Sequence, residues 1–184
     1  YLILINIRHL LYEKPIMVKI EYFLNRKNWK SSYNMSRLLY KNGNIEEAIK
    51  YIIQAEKYGA PIDYSSSLLG YFYYKQNEIY KAEKELKRAV EEKIDTNLAA
   101  YYLAKIYNEK GQYIKSIKLL LAYMDKNDKN NDILYLLGNT YDKTTEYTKA
   151  IEIYTKLIDL NQNNAYFLYN RGLDYYNMGL EEKA

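Results

Sequence analysis

Small, large and polar positions recur along this chain with a period of 34 residues. From Trp29 the register holds without insertion through 29–62, 63–96, 97–130 and 131–164, and an incomplete unit follows at 165–184. The eighth place of each unit is small: Ser36, Gly70, Ala104, Gly138 and Gly172. So is the twentieth, with Ala48, Ala82, Ser116, Ala150 and Ala184, while the eleventh carries Leu39, Tyr73, Tyr107, Tyr141 and Tyr175. Small residues let two helices approach closely, and large ones at fixed spacing fill what remains. The spacing therefore predicts an antiparallel helix pair per unit, with eleventh-place side chains filling the gap left at the eighth. Ile52, Leu86, Leu120 and Tyr154 at the twenty-fourth place, then Ala55, Ala89, Tyr123 and Leu157 at the twenty-seventh, continue the apolar stripe of the second helix. Turns between paired helices are expected at Asn42-Gly43-Asn44, Gln76-Asn77, Lys110-Gly111-Gln112 and Met178-Gly179, since Gly and Asn tolerate left-handed backbone. Gly59-Ala60-Pro61 and the polar runs Lys126 to Asn131 and Asn161 to Asn164 end second helices.

Residues 1–28 stand outside this register. Leu2 to Ile5 with Ile7, Leu10 and Leu11 form an apolar face at helical spacing, and Pro15 suits the first turn of a second helix carrying Ile16, Met17, Ile20, Phe23 and Leu24. The expectation is a helical hairpin that caps the array. Asn6 and Arg8 interrupt the opening run, which is too short and polar to cross a bilayer; the tail of a signal or anchor is the alternative. A chain that opens on Tyr1 and stops at Ala184 in mid-pattern is expected to be a fragment of a longer protein.

Composition narrows the chemistry. With 7 Gly and 2 Pro the chain holds few helix breakers. Its 27 basic and 23 acidic side chains leave a net charge of +4, too mild to call by itself for nucleic acid or an anionic membrane. Absence of cysteine removes disulfides and thiolate zinc sites and fits a reducing compartment, so a cytoplasmic location is expected. The lone His9 removes most metal and acid–base schemes. Nor is there a Gly-rich phosphate loop, and Glu46-Glu47, Glu91-Glu92 and Glu181-Glu182 read as ordinary helix charges. No enzyme activity, cofactor or metal is expected. The 25 tyrosines accompany abundant Asn, Lys and Ile, a set that AT-rich codons favour.

This period, with Leu69-Gly70, Leu137-Gly138 and Asn170-Arg171-Gly172 and the tyrosines and alanines above, resembles the tetratricopeptide repeat from Trp29 to Ala184. Departures are Trp29 at the first place rather than the fourth, no phenylalanine at the twenty-fourth, and Ala60, Ile94, Asp128 and Gln162 where proline is usual. The resemblance implies an all-α fold, a right-handed superhelical solenoid of antiparallel helix pairs whose first helices line a concave groove. In that family the groove holds an extended peptide or a helix of a partner protein, faced by the second, fifth, ninth, twelfth and thirteenth places.

Those places hold Lys30, Tyr33, Arg37, Tyr40 and Lys41, then Tyr64, Ser67, Tyr71, Tyr74 and Lys75, then Leu98, Tyr101, Lys105, Asn108 and Glu109. The fourth unit adds Asp132, Tyr135, Asn139, Asp142 and Lys143, and the fifth Tyr166, Tyr169, Leu173, Tyr176 and Asn177. Ten of these twenty-five are tyrosine, although the whole chain has only 25 among 184 residues, a concentration that base composition alone would not produce. Tyrosine is amphipathic and costs little entropy to immobilise. The expected partner is a protein segment, extended or helical, mildly acidic, offering apolar or proline side chains to the rings, with Lys30, Arg37, Lys41, Lys75 and Lys105 adding steering.

Members of the family that capture acidic chaperone tails carry a carboxylate clamp of Lys, Asn and Arg. Tyr33, Arg37, Leu68, Leu98 and Tyr102 stand in its place, so chaperone-tail binding is not expected. A helical repeat that stacks single-stranded RNA on tyrosines is one rival reading, disfavoured by the low charge. A scaffold that assembles with copies of itself is another.

Overall fold

The computed structural model describes residues 15–92, 97–124, 130–160 and 164–184. Among them the chain forms ten α-helices and one 3-10 turn, with no strand. The first helices of the repeats are α2 (Trp29–Lys41), α4 (Ile62–Lys75), α6 (Asn97–Glu109), α8 (Asn131–Lys143) and α10 (Ala165–Asn177). Their second helices are α3 (Ile45–Lys57), α5 (Ile79–Glu91), α7 (Tyr113–Met124) and α9 (Tyr147–Leu160); α1 (Pro15–Leu24) precedes them, and the 3-10 turn covers Glu181–Lys183. The predicted helix over Leu2 to Leu11 lies outside the described residues.

The helices begin where side chains can start them. Asn28, Asn130 and Asn164 each accept hydrogen bonds from backbone N–H groups of the following first turn, at 2.8 Å from Lys30, 3.1 Å from Asp132 and 3.0 Å from Tyr166. Between paired helices the fifteenth place is left-handed in every repeat: Gly43, Asn77, Gly111, Thr145 and Gly179. Only the fourth of these turns carried no glycine or asparagine to announce it.

By internal contacts the chain divides into two compact units, 1–99 and 100–184. In the described part of the first, Ala48, Ile52, Ala55, Ala60, Leu68, Leu69 and Phe72 form the buried core. Helix α1 packs on α2 and α3 through Val18, which meets Met35 and Leu38, and through Tyr22, whose ring meets Tyr51 at 5.0 Å and whose hydroxyl donates to Gln54 Oε1 at 3.2 Å. Of its other large apolar residues, Met17 is half-buried and Ile16, Ile20, Phe23 and Leu24 stay exposed. Arg88 on α5 bridges Glu56 of α3 and Glu85 of its own helix. In the second unit Leu120, Leu134, Leu137, Tyr154 and Leu157 are buried.

The close approach of paired helices is made by the eighth and twentieth places, as the pattern predicts, but the filling residue differs. A Cβ on Gly70 would lie 2.6 Å from Leu86 Cγ, and one on Gly138 2.9 Å from Tyr154 Cε1. It is thus the twenty-fourth place that lies over the eighth. The eleventh sits a turn further along, beside the start of the second helix, where Lys81, Lys115 and Lys149 lie over the rings of Tyr73, Tyr107 and Tyr141 at 5.6, 5.8 and 5.4 Å. Where serine replaces alanine or glycine, its hydroxyl crosses the contact. Ser36 Oγ donates to the Ala48 carbonyl at 2.7 Å, and Ser116 Oγ to the Ala104 carbonyl at 3.2 Å.

Candidate functional site

Helical spacing gathers the second, fifth, ninth, twelfth and thirteenth places of each first helix on neighbouring positions of that helix. In the first unit the rings on α2 and α4 touch one another. Trp29, Tyr33 and Tyr64 form a triangle with centroids 6.2 to 6.4 Å apart. Further along, the Tyr40 and Tyr71 hydroxyls share a hydrogen bond of 2.6 Å, and Tyr40 stacks on Phe72 at 4.9 Å. Tyr33, Tyr40, Tyr71 and Tyr74 are half-buried and Tyr64 is exposed. Burial pushes the Tyr33 phenol up; the Arg37 charge opposes this, and Tyr64 and Asp63 reinforce it. Lys30, Arg37, Lys41 and Lys75 are exposed, with Lys30 over Trp29 at 5.6 Å and Lys75 over Tyr71 at 5.7 Å. Leu98 is exposed, whereas Ser67 is buried.

In the second unit Tyr101 meets Tyr102 edge to face at 5.1 Å, with Lys105 over both rings. Burial raises the Tyr101 phenol, and Asp132 and then Tyr135 raise it further. Tyr135 lies 5.7 Å from Phe167 and 6.4 Å from Tyr154. Asn108 is buried and donates to Thr140 Oγ1 at 2.7 Å, and the side-chain oxygens of Asn139 and Asp142 both lie within hydrogen-bond reach of the Tyr154 hydroxyl. Glu109, Asp132, Lys143, Leu173 and Asn177 are exposed. Tyr166, Tyr169 and Tyr176 on α10 are the most open of the tyrosines at these places, at 72, 68 and 60% exposure.

Reading the sequence missed Phe72, which backs Tyr40, and Asp174, which is buried on α10. Phe72 was detectable as an apolar neighbour of Tyr71 on α4. For Asp174 nothing in the one-dimensional pattern marked a carboxyl headed inward. Among the described residues no group of three or more His, Cys, Asp or Glu is placed to hold a metal ion, and no helix is long and apolar enough to cross a membrane.

Paired helices in one register, packed small against large and lacking any strand among the described residues, define an all-α repeat scaffold. Tetratricopeptide repeat models match residues 33–96 and 132–164, together more than half of the chain, and the chain belongs to the tetratricopeptide repeat family. Its members bind protein or peptide partners and are typically non-enzymatic, so this is in general terms a protein–protein interaction scaffold. Among solved structures it is similar to YrrB, a TPR protein with an unusual peptide-binding site, at 15% identity and a TM-score of 0.74 over 90% of this chain and 86% of that one. It is also similar to MamA from Desulfovibrio magneticus RS-1, at 19% identity and a TM-score of 0.72 over 84% and 87%. A further MamA structure gives 25% identity and 0.71 over 81% and 87%. No curated protein matches the chain.

Proposed function

We propose that the first-helix faces bind a segment of a partner protein, extended or helical, through their tyrosine rings. The observation that carries this reading is the pre-packed ring set of the first unit, where Tyr33, Tyr40, Tyr64 and Tyr71 are already braced by Trp29, Phe72 and one another. Side chains held this way lose little further freedom on binding, so more of the contact energy survives as affinity. Exposed Lys30, Arg37, Lys41 and Lys75 flank the rings. They favour a mildly acidic segment offering apolar or proline side chains. The fold is one that carries a peptide-binding site in YrrB.

The test is fluorescence anisotropy with a panel of labelled acidic, proline-containing peptides on the full chain. The double variant Tyr64→Ala, Tyr71→Ala should weaken binding of any peptide captured by about thirtyfold, as expected from losing two ring contacts of about 1 kcal/mol each, with helix content by circular dichroism unchanged. Equal affinity in variant and parent would refute the assignment. Binding that instead prefers poly(U) and collapses between low and moderate salt would mark a strand-binding surface.

A further inference from the structure

Three polar side chains from three successive helices converge inside the 100–184 unit. Asp174, in the middle of α10, is only 2% exposed, Tyr154 on α9 is fully buried, and Asp142 near the end of α8 is half-buried. The Tyr154 oxygen stands 2.6 Å from Asp142 Oδ2 and 2.7 Å from Asn139 Oδ1. A phenol has one hydrogen to give. The consistent arrangement has Tyr154 donating to Asp142 while the Asn139 amide, turned about, donates to Tyr154.

That leaves Asp142 Oδ1 and Asp174 Oδ2 each buried with no donor, and the two carboxyl groups meet side chain to side chain, 32 residues apart like the Asn108–Thr140 contact one repeat earlier. Two carboxylates opposed in this way repel, and one proton between them turns the same contact into a hydrogen bond. The neighbouring groups do not replace that proton. Tyr135 from α8 lies by Tyr154, its ring 6.4 Å away, and Arg171 from α10 is turned to Thr155, donating to its Oγ1 at 3.3 Å. Neither carboxyl has an ion-pair partner among the described residues. Asp174 is also too deeply buried for a partner's lysine or arginine to reach.

We propose that Asp142 and Asp174 share a single proton that latches α10 onto α8 and α9, so that its loss loosens α10. Burial first, and the charge of Asp142 second, push the Asp174 carboxyl up to about 7, and burial raises Asp142 as well. The sign follows from which state holds the proton. Between the ordinary value of 3.8 and about 7 the folded chain keeps a proton that the unfolded chain has released, so stability falls across that interval and levels off above it. Because α10 carries Tyr166, Tyr169 and Tyr176, loosening it also disorders that part of the tyrosine face. This last consequence rests on the proposed binding surface, whereas the latch does not.

The experiment is amide hydrogen exchange of α10 in the full chain at pH 5.5 and 8.0, corrected for the chemical exchange rate, on the parent and on Asp174→Asn and Asp142→Asn. An asparagine supplies an N–H donor at either pH, from one side of the contact or the other, and circular dichroism reports whether each variant folds. The parent should lose about tenfold protection in α10 at the higher pH, a change of about 1.4 kcal/mol, and at least one folded variant should show the same protection at both. Overturning results are a pH-independent α10 in the parent, a pH response that persists in the folded variants, or protection that follows added calcium or magnesium instead of pH. No peptide binding is read, so failure here leaves the proposed binding face untouched, and the reverse holds.

Discussion

At the fifteenth place four residues suited to left-handed backbone, Gly43, Asn77, Gly111 and Gly179, are joined by one that is not: Thr145, at a φ of 59°. A β-branched side chain there costs about 1–2 kcal/mol relative to glycine. Thr145→Gly should therefore raise the thermal midpoint by a few degrees, about 1 kcal/mol net after the extra freedom glycine gives the unfolded chain, as scanning calorimetry would show. The opposite sign is expected at Gly70. Alanine gains about 1 kcal/mol of helix propensity, but its Cβ would meet Leu86 Cγ at 2.6 Å and the Leu86 backbone nitrogen at 3.1 Å. A rotamer change cannot move that nitrogen, and overpacking costs about 1–3 kcal/mol, so Gly70→Ala should lower the urea midpoint. The sequence showed that position seventy must be small without showing what it must be small for. The partner of the eighth place depends on how the second helix is rotated, which spacing alone leaves open.

Helix boundaries were legible because local chemistry and the period agree. Asn28, Asn130 and Asn164 cap helices that begin at Trp29, Asn131 and Ala165, one residue later in each case. Replacing Asn130 by alanine removes the acceptor of two N–H groups, those of Asp132 and Ile133. It should cost about 1 kcal/mol, read by chemical denaturation, with the loss of exchange protection concentrated at the start of α8. Pro15 likewise stands first in α1. What the pattern left open is which side of that helix packs. Its apolar residues Ile16, Met17, Ile20, Phe23 and Leu24 were plain in the sequence, and it is Val18 and Tyr22 that make the contacts with α2 and α3. Two overlapping apolar stripes on one short helix are equivalent in sequence, and only the neighbouring side chains distinguish them.

Within each compact unit, helices pack chiefly on those next to them in sequence: α2 on α3, α4 on α5, α8 on α9 and α9 on α10. Stability in such an array is a sum of local terms and neighbour contacts. In Gly70→Ala, exchange protection should accordingly fall most in α4 and α5, less in α2 and α3, and least in α1. Uniform loss through all five would show that the unit opens as one body. The family was legible from one register kept over successive repeats, whereas the Asp142–Asp174 meeting depends on the tilt between repeats, which a register does not encode. A different freedom is written into the paired-helix contact, where Ser36 faces Ala48 in one repeat and Ala104 faces Ser116 in another. The crossing is indifferent to which helix of the pair supplies the hydroxyl. A lineage can exchange one arrangement for the other by drifting through an alanine pair, forgoing a single bond of about 1 kcal/mol while both carbonyls remain engaged in their own helices.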